Sequence, residues 1–145
     1  MNALHQALVK FHNLKIELPQ DKENPFFTSK YTSLKCVQDT IIDTVAEHDL
    51  GLSFLTYAKK DELGSFIEVV VMHRESEDVI AHRVPLIMKD QSDPQKMGSS
   101  ITYARRYGLC LAFGLVDQAS DDDGNAGADK QPSGDQKGKW SRGNG

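Results

Sequence analysis

Cysteine is scarce in this sequence: Cys36 and Cys110 are the only 2 in 145 residues. They lie far apart and form no C-x-x-C pair, which excludes a disulfide framework and suits reduced, buried thiols in a cytosolic protein. Long apolar runs are missing as well. None approaches the ~20 residues of a membrane span. The opening MNALHQALVKFHN has no unbroken apolar stretch, so no signal peptide is expected. Positive charge is not in excess, the net charge being −4. Residues 117–145 hold 6 acids against 4 bases, and the remainder 15 against 13. That balance excludes a bulk-basic nucleic-acid binder, so any polyanion site has to be a local concentration of cations.

Chemistry-bearing patterns are also few. His5, His12, His48, His73 and His82 have no metal-ligand spacing; His73 and His82 could meet across adjacent strands, but a satisfied sheet histidine is the better reading. Gly98-Ser99-Ser100 lacks the lysine of a phosphate loop, and no serine sits in a nucleophile-elbow pattern. Asp121-Asp122-Asp123-Gly124 starts like a calcium loop, but its twelfth position is Pro132 where a glutamate is required. The acidic run is read as solvated, or as an occupant of a basic groove or neighbour contact.

What is present is an ordinary globular composition, 39% hydrophobic and 26% charged. Leu4, Ala7, Leu8 and Phe11 form one stripe of a short helix that ends before Pro19. Residues 18–31 read as a loop. A second helix opens at Thr32 or Ser33 and buries Leu34, Val37, Ile41 and Val45, with Gly51 closing it. Three strands are predicted, Leu52–Lys59, Phe66–His73 and Val79–Met88. Short separators make them an antiparallel meander, and Pro85 places the third at an edge. Ser92-Asp93-Pro94 starts a long helix running to about Leu115. The fold class is therefore α+β: a β-β-β meander packed on a long C-terminal helix, with N-terminal helices before it. Residues 1–116 make one domain, and 117–145 an acidic, glycine-rich disordered tail.

The long helix carries the conspicuous stretch GSSITYARRYGL, Gly98–Leu109. At ~100° per residue, Met97, Ile101, Ala104, Gly108, Leu111 and Leu115 share an apolar face. Lys96, Ser99, Tyr103 and Arg106 share roughly the opposite face, bordered by Thr102. Beyond Arg106, Leu109, Cys110 and Phe113 imply a C-terminal half buried on all sides. Guanidinium groups pair with phosphate oxygens, hydroxyls donate to them, and tyrosine stacks on bases. Solvated arginines and a half-buried packing tyrosine explain the same residues equally well. Arg105 lies near the apolar edge, where an acidic partner in the sheet or a neighbouring subunit is the other reading.

Three segments resemble the ERF-type single-strand annealing proteins of phages and prophages, relatives of RecT and Redβ. These are NPFFTSKYTSL (Asn24–Leu34), GSSITYARRYGL, and DDDGN (Asp121–Asn125). The resemblance implies an ATP-independent DNA-binding recombination protein. Such a protein coats single-stranded DNA and pairs it with its complement through an annealed duplex intermediate. It works as a homo-oligomeric ring or helical filament in the bacterial cytoplasm. It implies a β-β-β-α core whose strands and helix line the DNA groove, no catalytic residues, and no cofactor or metal. A phage exonuclease or host single-strand binding protein is a further expected partner, and no membrane is. Carried onto this chain, the DNA-binding residues are Lys30 and Tyr31, then Ser99, Ser100, Thr102, Tyr103, Arg105 and Arg106, with Lys89 and Lys96 extending the cationic track. Trp140 with Lys137, Lys139 and Arg142 forms a small basic-aromatic patch in the tail. Two rival readings remain: a metal-dependent nuclease, for which Glu68 is the one acid inside a predicted strand, and a module that binds protein alone.

Overall fold

A computed structural model describes residues 1–23, 30–87 and 92–117. Helix α1 spans Ala3–Asn13, its first turn capped by the Asn2 side chain, which accepts from the His5 amide at 2.9 Å. Leu4, Ala7, Leu8 and Phe11 are its buried stripe, as the spacing predicts. Within the segment expected to be loop, β1 (Lys22–Glu23) pairs antiparallel with β2 (Lys30–Tyr31), Lys22 facing Tyr31. Strands of two residues have no alternation to read, which is why the sequence pattern misses them.

Helix α2 spans Leu34–Glu47, with Ser33 as its cap. Val37 and Ile41 are buried in it, Leu34 and Val45 partly so, and Thr44 joins them. Gly51 does not close this helix. The helix cap is His48, and Asp49 takes the left-handed conformation, φ 50°. Gly51, φ 71°, instead serves the turn into the sheet, where an added Cβ would stand 2.9 Å from both Arg74 and His73.

Strands β3 (Leu52–Asp61), β4 (Gly64–His73) and β5 (Val79–Pro85) form the antiparallel meander, in the order β3-β4-β5. Pro85 ends the edge strand, where its missing N–H costs no ladder bond. Ile67, Val69 and Val71 point to the helical side and are buried. Helix α3, Pro94–Phe113, lies on that side. Asp93 caps it, and Gly114 in the left-handed conformation, φ 65°, ends it. Packed against β4, β5 and α2, α3 closes the core with Phe113, whose ring lies 5.3 Å from Phe11 and 5.9 Å from Phe54.

Three expectations need correction. Met97 and Leu111 are not buried: they are 38% and 55% exposed. The C-terminal half of α3 is likewise not covered on all sides, since Tyr107 also faces solvent. The apolar arc of α3 is wider than the strip of sheet beneath it, so its margin stays open. His73 is a satisfied sheet histidine, as favoured from the sequence: its ring bonds the Leu50 carbonyl at 3.0 Å, while His82 faces Val69 across the ladder. Both cysteines are free but only partly buried. Among the described residues no helix is long and apolar enough to cross a membrane.

The helix–sheet distance is set at Gly108. A Cβ there would stand 2.8 Å from Val69 Cγ2 and 3.2 Å from Val84 Cγ2. In an open helix, Gly→Ala stabilises by roughly 0.5–1 kcal/mol. Here Gly108→Ala is expected to destabilise by about 1–3 kcal/mol, as overpacking does. Urea unfolding followed by circular dichroism reads the sign.

Candidate functional site

Arg106 projects from α3 toward the junction of β2 and α2. One of its N–H groups donates to the Thr32 carbonyl at 3.0 Å. Its guanidinium carbon lies 5.1 Å from the Tyr31 ring centroid and 5.3 Å from that of Tyr103, so it sits against two aromatic rings. Tyr107, one turn beyond Tyr103, stacks on it at 6.0 Å with an interplanar angle of 16°. Three of the 4 tyrosines in the chain thus gather around one arginine. Tyr103 is 56% and Tyr107 44% exposed, and Arg106 is half-buried. Among the described residues no carboxylate forms an ion pair with Arg106. Partial burial with no ion pair among the described residues leaves a cation whose field water screens less than that of a fully exposed one.

The β2–α2 side of this arrangement is fixed from below. Thr32 is fully buried, and its hydroxyl donates to the Pro19 carbonyl at 2.7 Å. Ser33 donates to Asp21 twice, through its amide and its hydroxyl, at 2.7 Å each. The same hydroxyl oxygen accepts from the Cys36 amide at 3.1 Å and so starts α2. What little burial Asp21 has works to raise its pKa. The Ser33 hydrogen bonds outweigh that and hold the carboxyl below the ordinary 3.8.

The residues expected to form the site divide into groups. Tyr31, Tyr103 and Arg106 are brought together at the β2–α3 contact. Lys30 precedes Tyr31 in β2 and is exposed, and among the described residues no interaction joins it to Arg106. Arg105 turns the other way. Among the described residues it has no acidic ion-pair partner, and it donates through Nε to the Thr56 hydroxyl of β3 at 3.2 Å. Neighbours in sequence are ~100° apart on a helix, which sends the two arginines to different elements. Lys96 and Thr102 are exposed on the first half of α3. Ser99 and Ser100 line a groove beside Tyr103, bounded on its far wall by residues 84–87. Lys89, residues 24–29 of the first motif, and the tail with Asp121–Asn125 and Trp140 lie outside the described residues.

Tyr107 and Thr32 were missed by sequence reasoning. Tyr107 follows Tyr103 by four positions, a spacing that puts two rings on one helix face and could have flagged it. Thr32 contributes a backbone carbonyl, which no side-chain pattern reveals. Glu68, the acid of the nuclease reading, is buried on the opposite face of the sheet. There it is neutralised by Lys59 and Arg83, each 3.3 Å away. Among the described residues no cluster of three or more His, Cys, Asp or Glu is placed to hold a metal. Cys110 borders a second groove, of about 350 Å³, between Arg106 and Asp117. Burial, with Asp117 adding to it, pushes its thiol up to about 11, so it stays protonated at neutral pH.

Replacing Asp21 by Ala is expected to cost about 1 kcal/mol or less, because its acceptors are solvent-exposed. The lowered pKa means Asp21 contributes above its unfolded value, and that contribution fades as pH falls through the folded one. The stability gap between wild type and Asp21→Ala should therefore narrow in acid, as thermal melts at pH 7 and pH 3 would show.

A family model described as ERF superfamily matches residues 5–141. No curated protein and no solved structure matches the chain.

Proposed function

The chain belongs to the ERF superfamily, and we propose on that premise that it binds single-stranded DNA and anneals complementary strands in phage recombination without ATP. The observation that carries this reading is the clamp at Arg106: a half-buried cation with no paired carboxylate among the described residues, set between Tyr31 and Tyr103. A guanidinium has five N–H donors in a fixed fork. One holds Thr32, and the outward ones suit the oxygens of a phosphate. Exposed Lys30 and Lys96 extend the attraction along the backbone, and the faces of Tyr103 and Tyr107 suit bases.

Annealing needs no bond to be made or broken by the protein. Base pairing provides the free energy, while cations reduce repulsion between two phosphate backbones. Each protomer offers a few contacts, so a polymer that repeats them along the strand is what the mechanism requires. We therefore include self-assembly into a ring or filament in the proposal. Exposed Leu111 on α3 and Val116 just beyond it supply apolar surface for it. Residues 1–116 act as the annealing unit, and 117–145 as a tail open to an exonuclease or a host single-strand binding protein. The setting is the cytoplasm of a bacterial host, and no cofactor enters the reaction.

The test is fluorescence anisotropy of a labelled oligonucleotide at two salt concentrations. Arg106→Ala is expected to weaken binding by roughly 10–100-fold, the loss of a charge-assisted contact. Arg106→Lys should recover part of it, because charge returns without the planar fork. Wild-type affinity in a folded Arg106→Ala protein would remove the clamp from the site. Cleavage of DNA in Mg²⁺ without annealing would favour the nuclease instead.

A further inference from the structure

Beside the clamp, α3 and the end of β5 enclose an open groove of about 430 Å³. One wall is apolar, formed by Val84, Pro85, Leu86 and Ile87. The other is lined by Ser99, Ser100 and Tyr103. Ala104, almost fully buried, lies at the base. The groove is preformed. The Leu86 amide donates to the Ser65 carbonyl at 2.8 Å, which ties the apolar wall to β4. Gly108 sets the spacing between that wall and the helix by admitting Val84 against its Cα.

We propose that this groove holds one nucleobase of the bound strand, taken out of its stack. The inference rests on the reading of the chain as a single-strand DNA binder and assigns the groove a part of that ligand. Its chemistry suits a base. An apolar wall and an aromatic ring accept a flat π-surface, and two hydroxyls meet its polar edge. A hydroxyl both donates and accepts, so it can pair with the edge of any base. The site is therefore indifferent to sequence, as annealing demands. It is also continuous with the phosphate site. Tyr103 borders the groove and contacts Arg106, only three residues and ~4.5 Å of helix rise further on.

The groove gives the protein a way to tell single strands from duplex. A base in a duplex is stacked and paired, so extracting it costs more free energy than in a single strand, where there is no pairing to break. Pairing with a complementary strand then competes with the groove for the base. Annealing and release from the groove become one event.

The test compares two oligonucleotides of equal length and phosphate count, one of thymidines and one abasic throughout, with wild type, Ser100→Leu and Arg106→Ala. Leucine is a good helix former and fills the groove from the α3 side. Wild type is expected to prefer the thymidine strand by roughly tenfold, a moderate value for base–aromatic stacking. In Ser100→Leu that ratio should fall toward one, while Arg106→Ala lowers both affinities. Equal, tight binding of both strands by wild type would overturn the base site and leave DNA binding standing. Binding of neither strand would remove the DNA reading, and the base site with it. A Ser100→Leu protein that keeps the full preference, or that changes only its sedimentation mass, would also overturn the proposal. The second result would assign the groove to a neighbouring protomer.

Discussion

The placement of one guanidinium ties together the parts of this molecule from which the candidate site is built. Arg106 belongs to α3, but its hydrogen bond goes to Thr32, and its faces meet Tyr31 and Tyr103. It therefore joins the long helix to the start of α2 and the small β1–β2 pair at one point. Each neighbour restricts the others. The tyrosines limit where the guanidinium can go, the Thr32 carbonyl fixes its tilt, and Thr32 is in turn anchored to Pro19. A cation ordered in this way before any ligand arrives loses little rotamer freedom on binding. An acidic chain can afford such a site because its field is local, and a half-buried charge is screened less than a surface one.

That arrangement depends on α3 lying close to the sheet. Gly108 brings the helix backbone within contact of Val69 and Val84, Phe113 fills the space toward α1 and β3, and Leu109 and Ala112 are buried in the same core. With the helix so placed, Arg105 is directed to Thr56 and Arg106 to Thr32. The adjacent arginines thus act on different elements, and only one of them is framed by aromatic rings. The same geometry leaves the solvent side of α3 with an exposed line of Tyr103, Tyr107 and Leu111, flanked by the two grooves.

Much of the fold was legible in the sequence, because α1 and α2 have helical periodicity, β4 is dense in β-branched residues, and short turn-like separators divide the three main strands. Ser33, Asp93 and Gly114 stand at helix ends, where capping chemistry puts them. The β1–β2 pair was not legible, since two-residue strands carry no pattern. Burial on α3 was misjudged at Met97 and Leu111, because a helical wheel gives angles but not the width of the surface that the helix meets. For the candidate site, the clustering of hydroxyls, tyrosines and arginines in GSSITYARRYGL drew attention to the helix on which Arg106 meets Tyr103. The partnership of Arg106 with Tyr31 and Thr32 depends on a contact between residues about 75 positions apart. Nothing local in the sequence could establish that contact.

Tyr57 supplies a built-in control for the central claim. It is 42% exposed, close to the 44% of Tyr107, but belongs to the opposite face of the sheet. Photocrosslinking a single-stranded oligonucleotide containing 5-iodouracil, then mapping the adducts by mass spectrometry, compares the two surfaces in a single experiment. The account predicts adducts at Tyr103, Tyr107 or Tyr31 and none at Tyr57. Adducts confined to Tyr57 would place the DNA on the wrong side of the molecule and contradict it.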